Sequence, residues 1–283
     1  MGTSSSGTGP RNKTSLLPNW AQTEPSSDGS NNDGDESPDQ SDDSNSQDNQ
    51  GGNQNDNPQT GNWTDARRSF GRFLSKGNKS GLKKAARSYV RSSGGAKNAT
   101  RASSRGIAVA SGYLSFLGSV QRLGNEQALV NLGLEDCIGK TSEEVFVRLI
   151  DRLAPIGSTN EQAIARKALV EAMTTLYDRY VADGRDIEGL NNLTEENLRE
   201  SLCEYVTEFI YYKWLYELGV AIEKKDISET EAINLEKQIH EFIHAEVKIE
   251  TDSVDIKDLD FEAGKGKDII TKVFELAYST LEK

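Results

Sequence analysis

The sequence predicts an all-α protein, a helical domain preceded by a long disordered N-terminal tail. Three observations support this fold class. Apolar residues recur at helical spacing through most of the chain after residue 62. In the same part, Ser or Thr is repeatedly followed three residues later by Glu, which is the pattern of a helix capping box. We find no succession of strand-like segments that would build a sheet.

The predicted tail covers residues 1–62. Within it, the segment 21–62, here called the acidic arm, contains ten acidic residues, no basic residue and no aliphatic residue larger than alanine. A chain of this composition has too little apolar surface to form a core. The residues before the arm, 1–20, are here called the leader. In it Gly2 is followed by small Gly, Ser and Thr residues, and we expect Gly2 to become the N-terminus once Met1 is removed.

One apolar cluster interrupts the tail just before the acidic arm. Proline stiffens this cluster and tryptophan gives it a large contact face, two properties of short docking motifs. The cluster consists of Leu16, Leu17, Pro18 and Trp20. We therefore predict a partner-docking motif at residues 16–20.

The body is predicted as a basic-to-mixed helical domain over residues 63–190, with a C-terminal helical region, 191–283, packed on it. Two amphipathic helices begin the domain, with apolar faces containing Phe70 and Phe73 in the first and Tyr89 in the second. The stretch 96–123 is apolar almost all round and contains regularly spaced glycines. Such a helix is typical of a buried central element that its neighbours approach closely.

Helix starts after the central element are indicated by capping patterns. These patterns are Thr141 with Glu144, Ser158 with Glu161, Thr194 with the acidic residues after it, and Ser228 with Glu231. The helix after Thr194 has a seam from Leu198 to Tyr216. We expect it to pair antiparallel with a helix that packs through Leu235, Ile239, Phe242 and Ile249. Short extended pieces are expected near residues 247–249 and 253–256, before a last helix over 268–281.

Charge is distributed in blocks along a chain of 283 residues and formal net charge −12. Residues 63–105 carry twelve basic residues against Asp65 alone, whereas residues 106–283 carry nineteen basic and thirty-four acidic residues. The basic block predicts contact with nucleic acid or with an acidic partner, which includes the acidic arm of the same chain. The candidate contact residues are Arg67, Arg68, Arg72, Lys83, Lys84, Arg87 and Arg91.

The two cysteines, Cys137 and Cys203, indicate no disulfide framework and are typical of a reducing compartment. The most apolar run is too short and too rich in Gly and Ser to span a bilayer. We therefore expect a cytoplasmic protein without membrane association.

One catalytic pattern is present, His240-Glu241-Phe242-Ile243-His244. In zincins, two histidines one turn apart bind zinc and the glutamate polarises the metal-bound water. Here His240, His244 and Glu241 would hold those roles, but no third ligand is identifiable. An amphipathic packing helix explains the same residues more simply, so we expect no catalytic site and no cofactor, with a zinc metalloprotease as a remote alternative.

The order of these features resembles the QatB family of the bacterial Qat anti-phage systems. The residues that carry the resemblance are the leader with Gly2, the Leu-x-Pro-x-Trp element, the acidic arm, and the segments 68–73, 82–91 and 161–166. It covers residues 1–20 and 63–185 and is weaker beyond about residue 190.

The resemblance implies a non-enzymatic component of a four-part defence complex. Its partners would be QatA, a P-loop ATPase; QatC, similar to the 7-deazaguanine synthase QueC; and QatD, similar to TatD nucleases. Enzymes of the QueC type activate a carboxylated deazaguanine as an adenylate, which an amine then attacks. We therefore expect the α-amine of Gly2 to be modified with a 7-deazaguanine by QatC. The main alternative is a nucleic-acid-binding adaptor that uses residues 63–105.

Overall fold

A computed structural model describes residues 63–182, 186–219, 228–254 and 265–283. This part of the chain consists of α-helices, two short 3₁₀ helices and their connections, so the predicted all-α class is confirmed. The α-helices are α1 (Trp63–Lys76), α2 (Lys79–Ser92), α3 (Ala96–Arg101), α4 (Ser104–Leu123), α5 (Asn125–Leu132), α6 (Ser142–Leu153), α7 (Asn160–Tyr180), α8 (Glu195–Leu218), α9 (Glu229–Asp252) and α10 (Lys265–Glu282). The 3₁₀ helices are Glu135–Cys137 and Ile187–Asn192.

Helix α4 is the central element, as its apolar composition predicts. It contacts α5, α6, α7, α8 and α10. At its first turn Gly106 lies against the ring of Phe209 in α8, and the Tyr205 hydroxyl donates a hydrogen bond to the carbonyl oxygen of Gly106 at 3.1 Å. The absence of a side chain at Gly106 therefore allows α4 and α8 to approach each other closely at this point.

The predicted helix over 96–123 is interrupted, because α3 ends at Arg101 and α4 begins at Ser104. The Ser103 hydroxyl donates to the carbonyl oxygen of Ala99 and lies 2.9 Å from the Tyr278 hydroxyl of α10. A tertiary contact thus stabilises the break between the two helices. The other end of α3 is also held by α10, since the Glu282 carboxylate accepts from the Ala96 N–H at 3.3 Å.

The capping boxes predicted at Thr141 and Ser228 are observed. Thr194 caps its helix as predicted, but Asn197 completes the box in place of the acidic residues that follow Thr194. The start of α7 differs from the prediction by one residue, since Thr159 rather than Ser158 caps it, with Gln162 completing the box. Glu161 has another partner, because its carboxylate accepts from the Arg105 N–H at 2.7 Å in the first turn of α4.

Helices α8 and α9 pair antiparallel, as expected. Leu235, Ile239, Ile243 and Val247 are the buried apolar residues of α9, and they lie at a constant spacing of four. Leu235 and Ile239 are buried as predicted and Phe242 is half-buried against the core, but Ile249 is 62% exposed, so its predicted place on the packing face is wrong. Residues 247–249 belong to α9, which corrects the predicted extended piece there. Of the second piece, residues 255–256 lie outside the described residues.

Apolar side chains from α1 to α10 form one hydrophobic cluster. Leu190, Leu193 and Leu198, on both sides of the predicted domain boundary, belong to it. The division of the body at residue 190 stays a prediction. Within the described residues, no helix is long and apolar enough to cross a membrane.

Candidate functional site

The predicted modification site and docking motif lie outside the described residues. This applies to Gly2, to Leu16, Leu17, Pro18 and Trp20, and to the acidic arm. The described chain begins at Trp63, the first residue of α1. The tail is therefore attached directly to the basic pair of helices α1 and α2, here called the basic hairpin.

The basic hairpin consists of two helices of equal length that run antiparallel. The hydroxyls of Ser69 and Ser88 are hydrogen bonded at 3.1 Å, and Gly81 lies against the backbone of Phe73. The apolar faces point into the core, which leaves the basic side chains outside. The predicted contact residues Arg67, Arg68, Arg72, Lys83, Lys84, Arg87 and Arg91 are all exposed.

Few of these charges are neutralised by the described part of the chain. Arg68 forms an ion pair with Asp65 at 3.3 Å, and both side chains are more than half exposed. A pair of this kind contributes less than about 1 kcal/mol, because water screens it. None of the other six contact residues has a carboxylate within ion-pairing distance among the described residues. The surface that the sequence singled out is thus a positively charged face.

An aromatic cluster fixes the basic hairpin to the body. The ring of Trp214 in α8 lies 5.8 Å from that of Phe70 and 5.7 Å from that of Tyr89, measured between centroids. Trp63 packs edge-on against Tyr89 at 6.0 Å. Trp214, Phe70 and Tyr89 are at most 1% exposed. Buried aromatic pairs add about 0.5–1.5 kcal/mol each beyond the area they bury, so the hairpin is held at a defined place.

The residues of the His-Glu-x-x-His motif have different surroundings in the structure. His240 Nε2 lies 2.6 Å from a carboxylate oxygen of Glu208 in α8, and the imidazole packs edge-on against Tyr211. The hydrogen bond to Glu208 raises the pKa of His240, while burial opposes this shift. Glu241 points to solvent, 3.8 Å from Lys237. His240 is therefore a link between α8 and α9.

His244 lies one turn further along α9 and lines a cavity of about 220 Å³ together with Arg179, Cys203 and Lys248. No group of three or more His, Cys, Asp or Glu side chains in the described residues is arranged to hold a metal ion. The metalloprotease alternative thus gains no support from the positions of His240, His244 and Glu241.

A half-buried polar seam between α7 and α8 was missed by the sequence reasoning. The Lys167 ammonium lies 4.1 Å above the ring of Tyr212, whose hydroxyl donates to Glu171 at 3.1 Å. Burial lowers the pKa of Lys167 and raises that of Glu171. The spacing of four between Lys167 and Glu171 is the signal that points to such a pair. Its contacts join two helices, which is a structural role.

Both cysteines are free and buried, as expected of small apolar side chains. Burial raises the pKa of the Cys137 and Cys203 thiols. A raised pKa keeps a thiol protonated and poorly nucleophilic at neutral pH.

These features define an all-helical protein with a charged hairpin held firmly against an apolar core. The family model for QatB, the Qat anti-phage system associated protein, matches residues 94–281. The chain belongs to the QatB family and is a component of an anti-phage defence system that has several components. No curated protein and no solved structure matches the chain.

The match begins at the turn after α2 and reaches into the last turn of α10. It includes the region beyond residue 190, where a weaker resemblance was expected. The leader, the acidic arm and the basic hairpin precede the matched residues. The family assignment therefore depends on the helical core.

Proposed function

We propose that this protein is a non-enzymatic scaffold and protein substrate, whose Gly2 amine is modified with a 7-deazaguanine by a QueC-like partner, QatC. The observation that carries the proposal is the leader: Gly2 is followed by seven residues that are all Gly, Ser or Thr. A peptide with such small side chains is slim enough to enter a narrow catalytic pocket. Membership of the QatB family supports the setting in a defence complex.

The chemistry favours an α-amine over a lysine. An α-amino group has a pKa of about 7.7–8.0, so about a tenth of it is neutral and nucleophilic at pH 7. A lysine with a pKa of about 10.4 is neutral in fewer than about one molecule in a thousand. In the proposed reaction the Gly2 nitrogen attacks the acyl carbon of the adenylated deazaguanine, AMP leaves, and an amide forms with loss of a proton. The leader contains one lysine, Lys13, which provides an internal comparison.

The docking motif would raise the rate of this step. If Leu16, Leu17, Pro18 and Trp20 bind the partner, Gly2 is tethered close to the catalytic pocket. Short flexible tethers give effective concentrations in the millimolar range. The acidic arm then serves as a spacer between the leader and the body, while the body is free to bind the P-loop ATPase QatA and the TatD-like QatD.

The test is mass spectrometry of the N-terminal peptide from cells that express the operon with and without QatC. We expect an adduct on the Gly2 amine, and not on Lys13, only when QatC is present. A variant with Leu16, Leu17 and Trp20 replaced by Ser should lose most of the adduct, whereas the same change at the exposed Ile233 and Ile249 should not. An unmodified Gly2 in both samples would contradict the proposal.

A second candidate function is that of a nucleic-acid adaptor. It is favoured by one observation: all twelve basic side chains of residues 63–105 are exposed. Its affinity for DNA should fall steeply with salt, and charge reversal at Arg67, Arg68 or Lys83 should weaken binding and flatten the salt dependence. Lys237→Glu on α9 is the matched control. An affinity that does not respond to salt would exclude this adaptor role.

A further inference from the structure

The exposed cations of the basic hairpin differ from many of those on α6 to α9. On α6 to α9, exposed and half-buried Arg and Lys side chains repeatedly have a carboxylate within 4.0 Å. The examples are Arg148 with Asp136, Arg166 with Asp151, Arg179 with Glu200 and Glu204, Arg199 with Glu196, Lys237 with Glu241 and Lys248 with Asp252. On the basic hairpin, Arg68 with Asp65 is the one ion pair that the described residues provide.

A carboxylate-rich segment of the same chain directly precedes this face. The acidic arm contains ten Asp and Glu residues and no Lys or Arg, and it ends at residue 62, next to the first residue of α1. Residues 63–105 carry twelve basic residues and Asp65. Nine of these basic residues lie on α1 and α2, so the two helices have a net charge of +8, opposite in sign to the −10 of the arm. We propose that the acidic arm docks on the outward, basic face of α1 and α2 of its own chain.

The lengths of the two segments allow this contact. Helix α2 has 14 residues, which corresponds to a length of about 21 Å. A flexible chain of about 40 residues has a root-mean-square end-to-end distance of about 35 Å. The arm thus reaches every basic side chain of the hairpin from its attachment at residue 63. Because the attachment is covalent, docking is unimolecular, with an effective concentration in the millimolar range.

The arrangement of the basic side chains favours a polyelectrolyte contact over a single ion-pair site. Lys84, Arg87 and Arg91 lie along the outward side of α2, and Arg68 and Arg72 lie along that of α1. An arm with carboxylates at irregular intervals can pair with such a row of cations in many registers. The contact is electrostatic and therefore sensitive to salt, since the screening length falls from about 10 Å at 0.1 M to about 3 Å at 1 M.

Docking of the arm has a consequence for other ligands. A polyanion such as nucleic acid must displace the arm before it reaches the basic face. The arm then acts as an intramolecular competitor that suppresses indiscriminate binding of polyanions. This inference is independent of the modification of Gly2, because it concerns residues 21–62 and α1–α2 only.

The contact can be tested on the full-length protein with a carbodiimide, which joins carboxylates and amines without a spacer. Unlabelled and ¹⁵N-labelled protein are mixed before the reaction, and the linked peptides are identified by mass. We expect links between the acidic arm and Lys76, Lys79, Lys83 or Lys84, with both linked peptides carrying the same nitrogen isotope. The yield of these links should fall about tenfold when the salt concentration rises from about 0.05 M to 1 M. Lys237, equally exposed but on α9, is the control amine and should link to the arm rarely.

Links that carry both isotopes would show that the arm docks on a second copy and would overturn the intramolecular proposal. Links spread equally over Lys237 and the hairpin lysines, or no links to the arm, would overturn it as well. The variant Arg68→Glu/Arg72→Glu/Arg87→Glu/Arg91→Glu keeps all the reactive lysines. It should lower the yield of arm links to Lys83 and Lys84 several-fold.

A binding experiment separates the charge of the arm from its bulk. The probe is a fluorescein-labelled single-stranded DNA of about twenty nucleotides. Deletion of residues 21–62 should tighten binding about tenfold at low salt. Replacement of all ten Asp and Glu residues by Asn and Gln, which keeps the length, should tighten it equally. If only the deletion tightens binding, or neither does, the arm is not an electrostatic competitor.

Discussion

Gly106 offers a sharp test of the packing between α4 and α8. A Cβ atom at this position would lie 2.4 Å from Phe209 Cε2 and 2.6 Å from Cζ, whereas carbon atoms normally pack at about 3.5–4.0 Å. Phe209 is fully buried between Tyr205 and Phe274, with ring centroids 6.4 Å and 5.5 Å away. The ring therefore has to move by about 1 Å against a packed core to accommodate Gly106→Ala.

Overpacking of this kind costs about 1–3 kcal/mol, while replacing a helical glycine by alanine returns up to about 1 kcal/mol. We expect Gly106→Ala to lower the free energy of unfolding by about 1–2 kcal/mol, and the Tm by about 3–8 °C. Gly112→Ala is the matched control in the same helix. A Cβ there meets only the end of the Leu153 side chain, at 3.2 Å, so this variant should be neutral or more stable.

Unfolding in guanidinium, followed by far-UV circular dichroism, measures both variants, and an unchanged m-value shows that the same surface unfolds. A smaller side chain at position 209 should relieve the strain. The cost of Phe209→Leu should then be lower by about 0.5 kcal/mol or more in the Gly106→Ala background than in the wild type. A Gly106→Ala variant at least as stable as Gly112→Ala would refute the close approach of α4 and α8.

Three further outcomes follow from the contacts of α8 and α9. The hydrogen bond to Glu208 raises the pKa of His240 in the folded state above the unfolded value of about 6.5. The stabilisation that this hydrogen bond gives the fold is therefore complete below pH 6.5 and is lost as the pH rises through the folded-state pKa. Glu208→Gln should flatten this dependence of the unfolding free energy on pH. Thr194→Ala removes the cap of α8 and should cost about 1 kcal/mol in the same unfolding assay, whereas Thr194→Ser should cost little. Trp214→Ala should lower the free energy of unfolding by about 3–5 kcal/mol. It should speed amide hydrogen exchange more in residues 63–92 than in the rest of the chain. An equal increase throughout the chain would contradict the anchoring of the hairpin by this ring.

The sequence was informative wherever a local rule decides the structure. Helical spacing of apolar residues located α1, α2 and α8, and the exposed position of the seven basic contact residues follows from the same periodicity. Capping patterns located the starts of α6 and α9 because the boxed side chains are three residues apart, and Thr194 with the acidic first turn after it located the start of α8. These features depend on neighbours in the chain alone.

The features that the sequence did not predict depend on distant partners. The break between α3 and α4 is held by Tyr278, 175 residues from Ser103. The shift of the α7 cap to Thr159 leaves Glu161 free for the first turn of α4. The buried face of α9 uses Ile243 rather than Phe242, because the α9 residues that meet α8 repeat every four positions.

The same dependence on distant partners explains why the His-Glu-x-x-His motif did not reveal the contacts of its histidines. Its spacing is a property of the local sequence, but the partner of His240 is Glu208, 32 residues away on another helix. A short pattern can place two histidines on one side of a helix. It contains no information about which side chains another helix brings opposite them.

The proposed role of the leader depends on a reaction with another protein, so only an experiment that includes this partner can test it. The central claim is that the chain supplies its own α-amine to that reaction. The most direct measurement is the fragment-ion mass spectrum of the N-terminal peptide of full-length protein after incubation with purified QatC, ATP and the carboxylated deazaguanine. We expect every fragment that contains Gly2 to carry the added mass, and we expect this mass to appear only when ATP is present. An adduct on Lys13 instead, or a peptide of unchanged mass while QatC consumes its ATP, would contradict it.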